Sequence, residues 1–298
     1  MYEKYYGLDK NAFSLLPDPG FLFMSRQHLM ALTLLKYSLM SRHAFTVVTG
    51  EVGAGKTTLV NRLLEEIYDR SYRVGLINFT DQRIVQLWPW ILRAFDIPYA
   101  NKGTVRMYDD FLCFLEDERR EGRSTVLVVD EAQNLAPKAL ESLRMLSNVN
   151  TKETLLQLIL VGQPEFRDTL KQRGFRQLNQ RVSVFYRLDP LNQTETRDYI
   201  AHRLRVAGCK RRIFDPEAAA LIWKESRGVA RNINTLCDLA LVYGFSNQKE
   251  TVDADVVHEM LADRRDLAVQ TEPLPDTGLR SALPAQGPLQ VVREYPQG

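Results

Sequence analysis

The sequence has few of the features that mark secreted or membrane-spanning proteins. Its 298 residues include only three cysteines, Cys113, Cys209 and Cys237, at scattered positions without metal-ligand spacing. They predict reduced, mostly buried thiols in a cytosolic protein. No apolar run approaches the roughly 20 residues that a membrane span needs. The first four residues, 1–4, do not look like a secretory signal. We therefore expect a cytoplasmic protein whose membrane role, if any, is peripheral.

A strong excess of charge of one sign is also lacking. The chain has 39 Lys and Arg against 37 Asp and Glu, a formal net charge of +2. This balance argues neither for nor against nucleic acid as a partner. The composition, 45% hydrophobic and 26% charged, is ordinary for a globular protein, and the length allows one large domain or two modest ones.

The strongest motif present is a phosphate-binding loop. It reads Gly50-Glu51-Val52-Gly53-Ala54-Gly55-Lys56-Thr57-Thr58 and fits G-x-x-x-x-G-K-[ST]. An apolar run at residues 44–48 precedes it and a helical pattern follows, so backbone N–H groups and a helix N-terminus would converge on phosphate oxygens. We expect Lys56 to reach the β- and γ-phosphates of ATP and Thr57 to ligate Mg²⁺. The alternative is a glycine-rich turn with an incidental lysine.

A second motif follows the apolar run at residues 126–129, which is typical of a strand buried on both faces of a parallel sheet. The run ends in Asp130 and Glu131, and a carboxylate at the carboxyl end of such a strand lies beside the phosphate loop. We expect Asp130 to hold Mg²⁺ directly or through water, and Glu131 to orient and deprotonate the attacking water. Without the phosphate loop, a charged pair that simply ends a strand would be the better interpretation.

Three polar residues farther along are additional candidates. Gln163 follows a predicted strand at residues 155–161 and would point at the γ-phosphate, unless it is an ordinary turn residue. A polar-rich helix is predicted at residues 166–180. Arg181 comes next, just before a predicted strand, and in an oligomer it could reach the γ-phosphate of the neighbouring subunit. Arg176 competes for this role, and a plain surface position is the alternative for either arginine.

The chain divides into four predicted segments. Residues 1–24 form an irregular arm, because prolines exclude a continuous helix there. Residues 25–190 hold five predicted strands with helices between them and form an α/β domain. Residues 191–266 show only helix periodicity and predict a small all-helical domain. Residues 267–298 are rich in proline and glycine and predict a disordered tail.

The arm and the helix after it carry their own predictions. The aromatic residues of the arm would cover the adenine, contact a neighbouring subunit or simply pack on the domain. They are Tyr5, Tyr6, Phe13 and Phe21. Ser25 is a plausible N-cap for a helix at residues 26–40. The apolar positions of that helix recur at helical spacing and are Leu29, Leu32, Leu35 and Leu39.

The order of these motifs resembles the AAA+ ATPase family. That order is a phosphate loop, an Asp-Glu pair, a polar residue after the next strand, an edge arginine and a helical segment. Gly228-Val229-Ala230-Arg231 opens one of its helices. The resemblance implies a five-stranded parallel P-loop NTPase sheet with a small C-terminal helical lid. Arg231 of that lid would lean onto the bound nucleotide and report ATP against ADP.

Several phrases resemble one group of that family, the ExeA/GspA-like ATPases of bacterial envelope systems. They are Tyr6-Gly7-Leu8, Phe13-Ser14-Leu15, Pro17-Asp18-Pro19, the phosphate loop, Asp130-Glu131-Ala132-Gln133-Asn134-Leu135, Gly162-Gln163-Pro164-Glu165 and Gln177-Leu178-Asn179-Gln180-Arg181. The resemblance covers about residues 1–265. It implies Mg²⁺-dependent ATP hydrolysis in general secretion, MSHA-type pilus biogenesis or exosortase-associated exopolysaccharide systems. It also implies a homo-oligomer, as a ring or filament, and an envelope-assembly partner at the inner membrane.

Two departures and two rival hypotheses accompany this resemblance. Secretion-type members carry a membrane span and a peptidoglycan-binding domain after the ATPase, whereas a Pro/Gly tail follows here, so wall binding is not expected. Ala230 also stands where these proteins usually have proline. The first rival is a DNA-binding transposition ATPase of the MuB/TniB kind, which would form ATP-dependent, salt-sensitive filaments on DNA. The second is a scaffold that binds ATP without turnover, against which Asp130 and Glu131 argue.

Overall fold

A five-stranded sheet, all of whose pairings are parallel, organises the computed structural model. In chain order its strands are β1 (Phe45–Gly50), β2 (Tyr72–Asn78), β3 (Ser124–Asp130), β4 (Leu156–Gly162) and β5 (Val182–Leu188). Their order across the sheet is β2-β3-β4-β1-β5. The predicted α/β fold with a five-stranded parallel sheet is confirmed.

The structure describes residues 1–16, 18–67, 71–78, 84–150 and 153–270. Residues 1–260 form one compact unit, so the predicted boundary at residue 190 falls inside it. A second unit begins at Leu261, and its described part, residues 261–270, is helical. The predictions for Pro17 and residues 271–298 lie outside the described residues. Within the described ranges, no helix is both long and apolar enough to cross a bilayer.

The central strands are buried because their sequences are apolar on both faces. Strands β1 and β4 are buried along their whole length, as runs rich in Val, Ile and Leu predict. Successive side chains point to opposite faces, so Val47 packs in one core cluster and Val48 in the other. Each buried aliphatic side chain of this kind contributes about 1.5–3 kcal/mol. This double burial fixes the strand register that positions the loops at the carboxyl edge of the sheet.

Helices cover both faces of the sheet. They are α2 (Arg26–Met40), α3 (Lys56–Ile67), α4 (Trp88–Ala94), α5 (Thr104–Arg120), α6 (Pro137–Leu146), α7 (Pro164–Lys171) and α8 (Arg176–Asn179), whereas α1 (Glu3–Tyr6) belongs to the N-terminal arm. Ser25 caps α2 as predicted, since its Oγ accepts the backbone N–H of His28 at 3.3 Å. The helix at residues 26–40 is confirmed, and of its four apolar positions Leu32, Leu35 and Leu39 are buried while Leu29 is 57% exposed.

The single helix predicted at residues 166–180 is wrong. The chain forms α7, a 3-10 turn at Arg173–Phe175 and the short helix α8 instead. Gln172 breaks the run because its backbone is extended, with φ −60° and ψ 149°. The break turns the chain just before β5.

Four further helices complete the described chain: α9 (Gln193–Val206), α10 (Pro216–Ser226), α11 (Ala230–Ser246) and α12 (Ala254–Gln270). Asn192 and Glu195 form a reciprocal capping box at the start of α9. Asp215 caps α10, with Pro216 in its first turn. The last helix continues to Gln270, so the prediction that helix is absent from residue 267 onward is wrong for residues 267–270.

The N-terminal arm packs on this helical region. Tyr6, Phe13 and Phe21 are at most 5% exposed, so all three pack against the domain, and a role as a cover over the adenine or a subunit contact stays a prediction. Arg203 on α9 donates to the carbonyl oxygens of Ala12 at 2.6 Å and Ser14 at 3.0 Å. Its guanidinium also lies 4.3 Å from the centre of the Phe21 ring. A buried cation thus ties the arm to α9.

Candidate functional site

The phosphate loop joins the carboxyl end of β1 to α3, and two glycines set its shape. Gly53 has φ 81° and Gly55 has φ 91°, a region that other residues reach only with strain. A side-chain carbon at Gly55 would also lie 2.9 Å from Nε2 of His28. Backbone curvature and the lack of space therefore both favour glycine at this point of the loop.

Lys56 opens α3 and is only 5% exposed. Its Nζ donates to the carbonyl oxygens of Gly50 at 2.9 Å and Glu51 at 3.0 Å. Burial lowers the pKa of Lys56, and the nearby carboxylates of Glu131 and Asp130 oppose that shift. The ammonium thus lies across the loop, where incoming phosphate oxygens would replace the two carbonyl oxygens as its partners.

The Thr57 hydroxyl contacts the Asp130 carboxylate directly. Thr57 Oγ1 donates to Asp130 Oδ2 at 2.7 Å, and the backbone N–H of Glu131 donates to Asp130 Oδ1 at 2.9 Å. Asp130 is 1% exposed, and burial raises its pKa, while these two hydrogen bonds oppose the shift. The end of β3 and the start of α3 therefore meet at one polar pair, as predicted from the two motifs.

Glu131 lies in the turn that leaves β3. Its backbone is in the left-handed region, with φ 54° and ψ 41°, and a 3-10 turn at Ala132–Asn134 follows. This turn places Gln133 beside Glu131, so that Gln133 Nε2 donates to Glu131 Oε2 at 2.5 Å. Gln133 was not among the predicted site residues, although it belongs to the phrase at residues 130–135. Nothing in the sequence indicated that the side chain of Gln133 turns back toward the carboxylate of Glu131.

The backbone of Gln163 is hydrogen-bonded to the other end of the Gln133 amide. Its N–H donates to Gln133 Oε1 at 3.0 Å. Its side chain is not among the groups that line the pocket described below, so the predicted approach to the γ-phosphate stays a prediction.

A pocket of about 500 Å³ opens beside the phosphate loop, between the arm, α3 and α11. Its walls include Lys56, Thr57, Thr58, Glu131 and Arg231. The phosphate-loop residues Val52, Gly53, Ala54 and Gly55 also line it. The structure thus brings most of the predicted nucleotide-binding residues to one hollow.

The arm and the helical region supply the rest of the pocket wall. Phe21 of the arm lines it together with Tyr199 and Asn234, which are joined by a hydrogen bond of 2.8 Å from Tyr199 Oη to Asn234 Oδ1. Arg231 comes close to the loop, since its backbone N–H donates to Gly53 O at 3.3 Å. A side-chain carbon at Gly53 would lie 2.5 Å from Arg231 Cβ, so only glycine allows this approach.

His28 is a buried residue under the loop that sequence reasoning missed. Its Nε2 donates to the Ala54 carbonyl oxygen at 3.0 Å, so its Nδ1 is left to accept from Ser25 Oγ at 2.8 Å. Burial lowers the pKa of His28, which keeps the ring neutral and both contacts satisfied. A lone histidine near the start of an amphipathic pattern gave no sign of this role.

The two candidate arginines lie apart from the pocket. In the parallel pairing of β1 with β5, Val182 is opposite Phe45 and Leu188 is opposite Gly50. Arg181 therefore sits at the amino edge of the sheet, about five residues or roughly 17 Å from the level of the phosphate loop. Its Nη2 donates to Asn148 Oδ1 at 2.8 Å. Arg176 is exposed at the start of α8.

The donor set fits a nucleotide with Mg²⁺. Magnesium in such sites takes one or two protein oxygens and completes its shell with water and phosphate oxygens. Thr57 and Asp130 offer those two oxygens, and a cation beside Asp130 would offset the cost of its buried charge. Within the described residues, no group of three or more His, Cys, Asp or Glu side chains forms a separate metal cage.

Comparison with known proteins identifies one matching family and two relatives. The family described as "AAA domain" matches residues 39–170. General secretion pathway protein A of Aeromonas hydrophila is 38% identical over 250 residues, which are 83% of this chain and 45% of that protein. An ORC1-type DNA replication protein of Archaeoglobus fulgidus is 24% identical over 172 residues, 54% of this chain and 41% of that protein. The chain spans less than half the length of either relative.

A solved structure shares the fold. It is the Aeropyrum pernix ORC2 protein in ADPNP–ADP complexes, with a TM-score of 0.62 and 16% identity over 86% of this chain and 72% of that one. At this identity the likeness concerns the fold alone. It extends beyond the sheet, because 86% of the chain is more than the sheet region holds.

Proposed function

Since this chain belongs to the ExeA/GspA-like group of the AAA+ family, we propose that it binds ATP with Mg²⁺ at the phosphate loop and hydrolyses it. The observation that supports this most is the contact of Thr57 with Asp130, 2.7 Å long, next to the buried ammonium of Lys56. Two motifs 73 positions apart in sequence meet there with the groups that nucleotide and metal require. A glycine-rich turn with an incidental lysine does not account for the hydrogen bond from Thr57 to the buried carboxylate of Asp130.

The proposed chemistry is attack of water on the γ-phosphorus, which forms a new O–P bond, breaks the bond from the γ-phosphorus to the β–γ bridging oxygen, and releases ADP and inorganic phosphate. Lys56 and the loop N–H groups neutralise negative charge on the phosphates. Thr57 and Asp130 would hold Mg²⁺, which when bound supplies further neutralisation of the phosphate oxygens. Glu131 accepts the proton of the attacking water.

The proposed oligomer follows from the position of Arg181. At the amino edge of the sheet this arginine is about 17 Å from the level of its own phosphate loop, so a contribution to hydrolysis requires the site of a neighbouring subunit. We propose that Arg181, or Arg176 in its place, completes that site in a ring or filament. A dilute monomer should then be nearly inactive.

The proposed output is a motion of the helical region against the sheet. Arg231 at the start of α11 contacts Gly53 through its backbone and lines the pocket. A change from ATP to ADP would alter what Arg231 meets and hence the position of α11. By its relation to general secretion pathway protein A, we propose that this motion serves assembly or regulation of a bacterial envelope system, through an inner-membrane or envelope-assembly protein. A cytoplasmic place at the inner membrane suits that role.

A second candidate is an ATPase that binds DNA. A hollow of about 250 Å³ between α9 and α10 is lined by five basic side chains, Arg197, Arg205, Lys210, Arg211 and Arg212, and one acidic one, Asp198. Their sum of +4 exceeds the +2 of the whole chain. Such a concentration of positive charge suits phosphate backbones, and one relative is named as a DNA replication protein.

One assay separates these proposals. Phosphate release from ATP is measured across protein concentration, with and without double-stranded DNA, for wild type and Glu131→Gln. Turnover that rises more steeply than linearly with protein concentration, is lost in the variant and ignores DNA supports the envelope ATPase. Stimulation by DNA that fades with salt supports the second candidate, and no turnover under any condition overturns both.

A further inference from the structure

We propose that Gln133 is a positioning residue for Glu131, which holds the carboxylate in the orientation needed for proton abstraction. This inference rests on the proposed hydrolysis. Gln133 donates from Nε2 to Glu131 Oε2 at 2.5 Å and accepts at Oε1 from the backbone N–H of Gln163 at 3.0 Å. One side chain thus joins the turn after β3 to the end of β4.

The orientation of the Gln133 amide is fixed by its partners. A backbone N–H can only donate, so the group facing Gln163 must be the amide oxygen. A carboxylate can only accept, so the group facing Glu131 must be the amide nitrogen. With Oε2 of Glu131 held in this way, Oε1 is the oxygen left to accept a proton from water.

The side chain of Gln133, which bridges Glu131 and Gln163, fits closely against Gly162 at the end of β4. A side-chain carbon at Gly162 would lie 3.1 Å from Gln133 Oε1 and 3.2 Å from Cβ of Phe166. Glycine at the end of β4 therefore keeps the path of the Gln133 amide clear. Because β3 and β4 are hydrogen-bonded neighbours, the bridge ties Glu131 to the rigid sheet.

The bridge also compensates for the local backbone. Glu131 has a positive φ of 54°, and a non-glycine residue keeps such a strained conformation only where its surroundings hold it. The residues around Glu131 must therefore hold this turn in place. Gln133 does so through the carboxylate itself, which a residue with only a packing role would not contact.

The first test is Gln133→Ala in the full chain. The expected result is a kcat lower by about 10- to 100-fold, the range seen when hydrogen-bond partners of site ligands are removed, with the dissociation constant of ATP unchanged within about twofold. Gln172→Ala is the matched control, since Gln172 is an exposed glutamine at the end of α7 and should leave both constants unchanged. Equal kcat in Gln133→Ala and wild type would overturn the assignment.

The second test is Gln133→Glu, which keeps the shape and also serves if the alanine variant folds poorly. The new carboxylate can still accept the backbone N–H of Gln163, but it cannot donate to Glu131. The kcat of Gln133→Glu should therefore fall at least as far as that of Gln133→Ala, and a wild-type kcat would contradict the proposal.

A double variant separates this inference from the proposed function. If Gln133 acts through Glu131, Gln133→Ala should lower activity no further in the Glu131→Gln background. A further drop there would mean that Gln133 acts by another route and would overturn the assignment while hydrolysis stands. A wild-type chain that binds ATP yet never releases phosphate would instead overturn the proposed function, and this assignment with it.

Discussion

The carboxyl edge and the amino edge of the sheet carry candidate residues in different settings. At the carboxyl edge, Lys56, Thr57 and Glu131 each contact a group of the same chain within 3.0 Å and line one pocket. At the amino edge, Arg181 bonds to Asn148 and faces no pocket of the phosphate loop. The comparison teaches that one chain brings the predicted nucleotide-binding groups and the proposed base together, while a part for the edge arginine in hydrolysis would require a second chain.

The largest expected effect at the carboxyl edge is that of Lys56→Ala. Two charge-assisted hydrogen bonds from Lys56 to phosphate oxygens would contribute roughly 3–6 kcal/mol, so ATP affinity should fall by at least about 100-fold without them. Titration with a fluorescent ATP analogue measures this. Unchanged affinity would refute the phosphate-loop assignment and remove the carboxyl edge from the comparison.

Next in size is Glu131→Gln, which separates binding from chemistry at the same edge. Removal of the base should lower kcat by about 10²–10⁴-fold and leave the dissociation constant of ATP near its wild-type value. Single-turnover phosphate release together with nucleotide binding checks both parts. If the variant still turns over at the wild-type rate, Glu131 is not the base.

At the amino edge, Arg181→Ala should lower kcat by about 10²-fold, less than the 10³–10⁵-fold of a full arginine finger, because Arg176 remains nearby. Arg173→Ala is the control, since Arg173 is an exposed arginine in the 3-10 turn before α8, and its removal should leave kcat unchanged. Mixing Arg181→Ala with Glu131→Gln subunits should restore part of the activity, since each supplies what the other lacks. Absence of rescue would mean that the two edges do not meet between subunits.

At the carboxyl edge, the stability of the fold should depend on pH through Asp130, and the variant Asp130→Asn tests this. Burial raises the pKa of Asp130, so the folded chain keeps this proton at pH values where the unfolded chain has lost it. The contribution of Asp130 to stability therefore declines as the pH rises from the ordinary value of 3.8. The melting temperature of the nucleotide-free variant should exceed that of wild type by a margin that grows over this range, and a margin that shrinks would contradict the account.

The smallest effect is expected for Asn148→Ala at the amino edge. Asn148 is exposed and its contact with Arg181 is a surface hydrogen bond, so the free energy of unfolding should change by less than about 0.5 kcal/mol. Chemical denaturation measures it. A loss above about 2 kcal/mol would mean that Arg181 has a structural task in its own chain.

The sequence predicted best what short-range pattern controls. Helix α2 begins and ends at the predicted residues 26 and 40, and strand β4 lies within one residue of the predicted range 155–161. The phosphate loop was predictable because its glycines and lysine are required by local backbone geometry. The failure at residues 166–180 also has a local cause, since the extended backbone of Gln172 splits the expected helix.

Contacts between distant parts of the chain were not predictable in this way. His28 reaches the loop from α2, and Arg203 holds the arm from α9, because tertiary packing brings them there. Gln133 has no sequence signal beyond the phrase that contains it, since its two partners depend on how β3 and β4 end side by side. The role of Gln163 stays a prediction for the same reason.

The most direct test of the central claim is the calorimetric titration of a non-hydrolysable ATP analogue with and without Mg²⁺. The account predicts that Mg²⁺ strengthens binding to wild type markedly, that Asp130→Asn loses this gain, and that Lys56→Ala binds at least about 100-fold more weakly than wild type. Equal affinity with and without Mg²⁺ in wild type would contradict the claim that Thr57 and Asp130 hold a metal beside the phosphate loop.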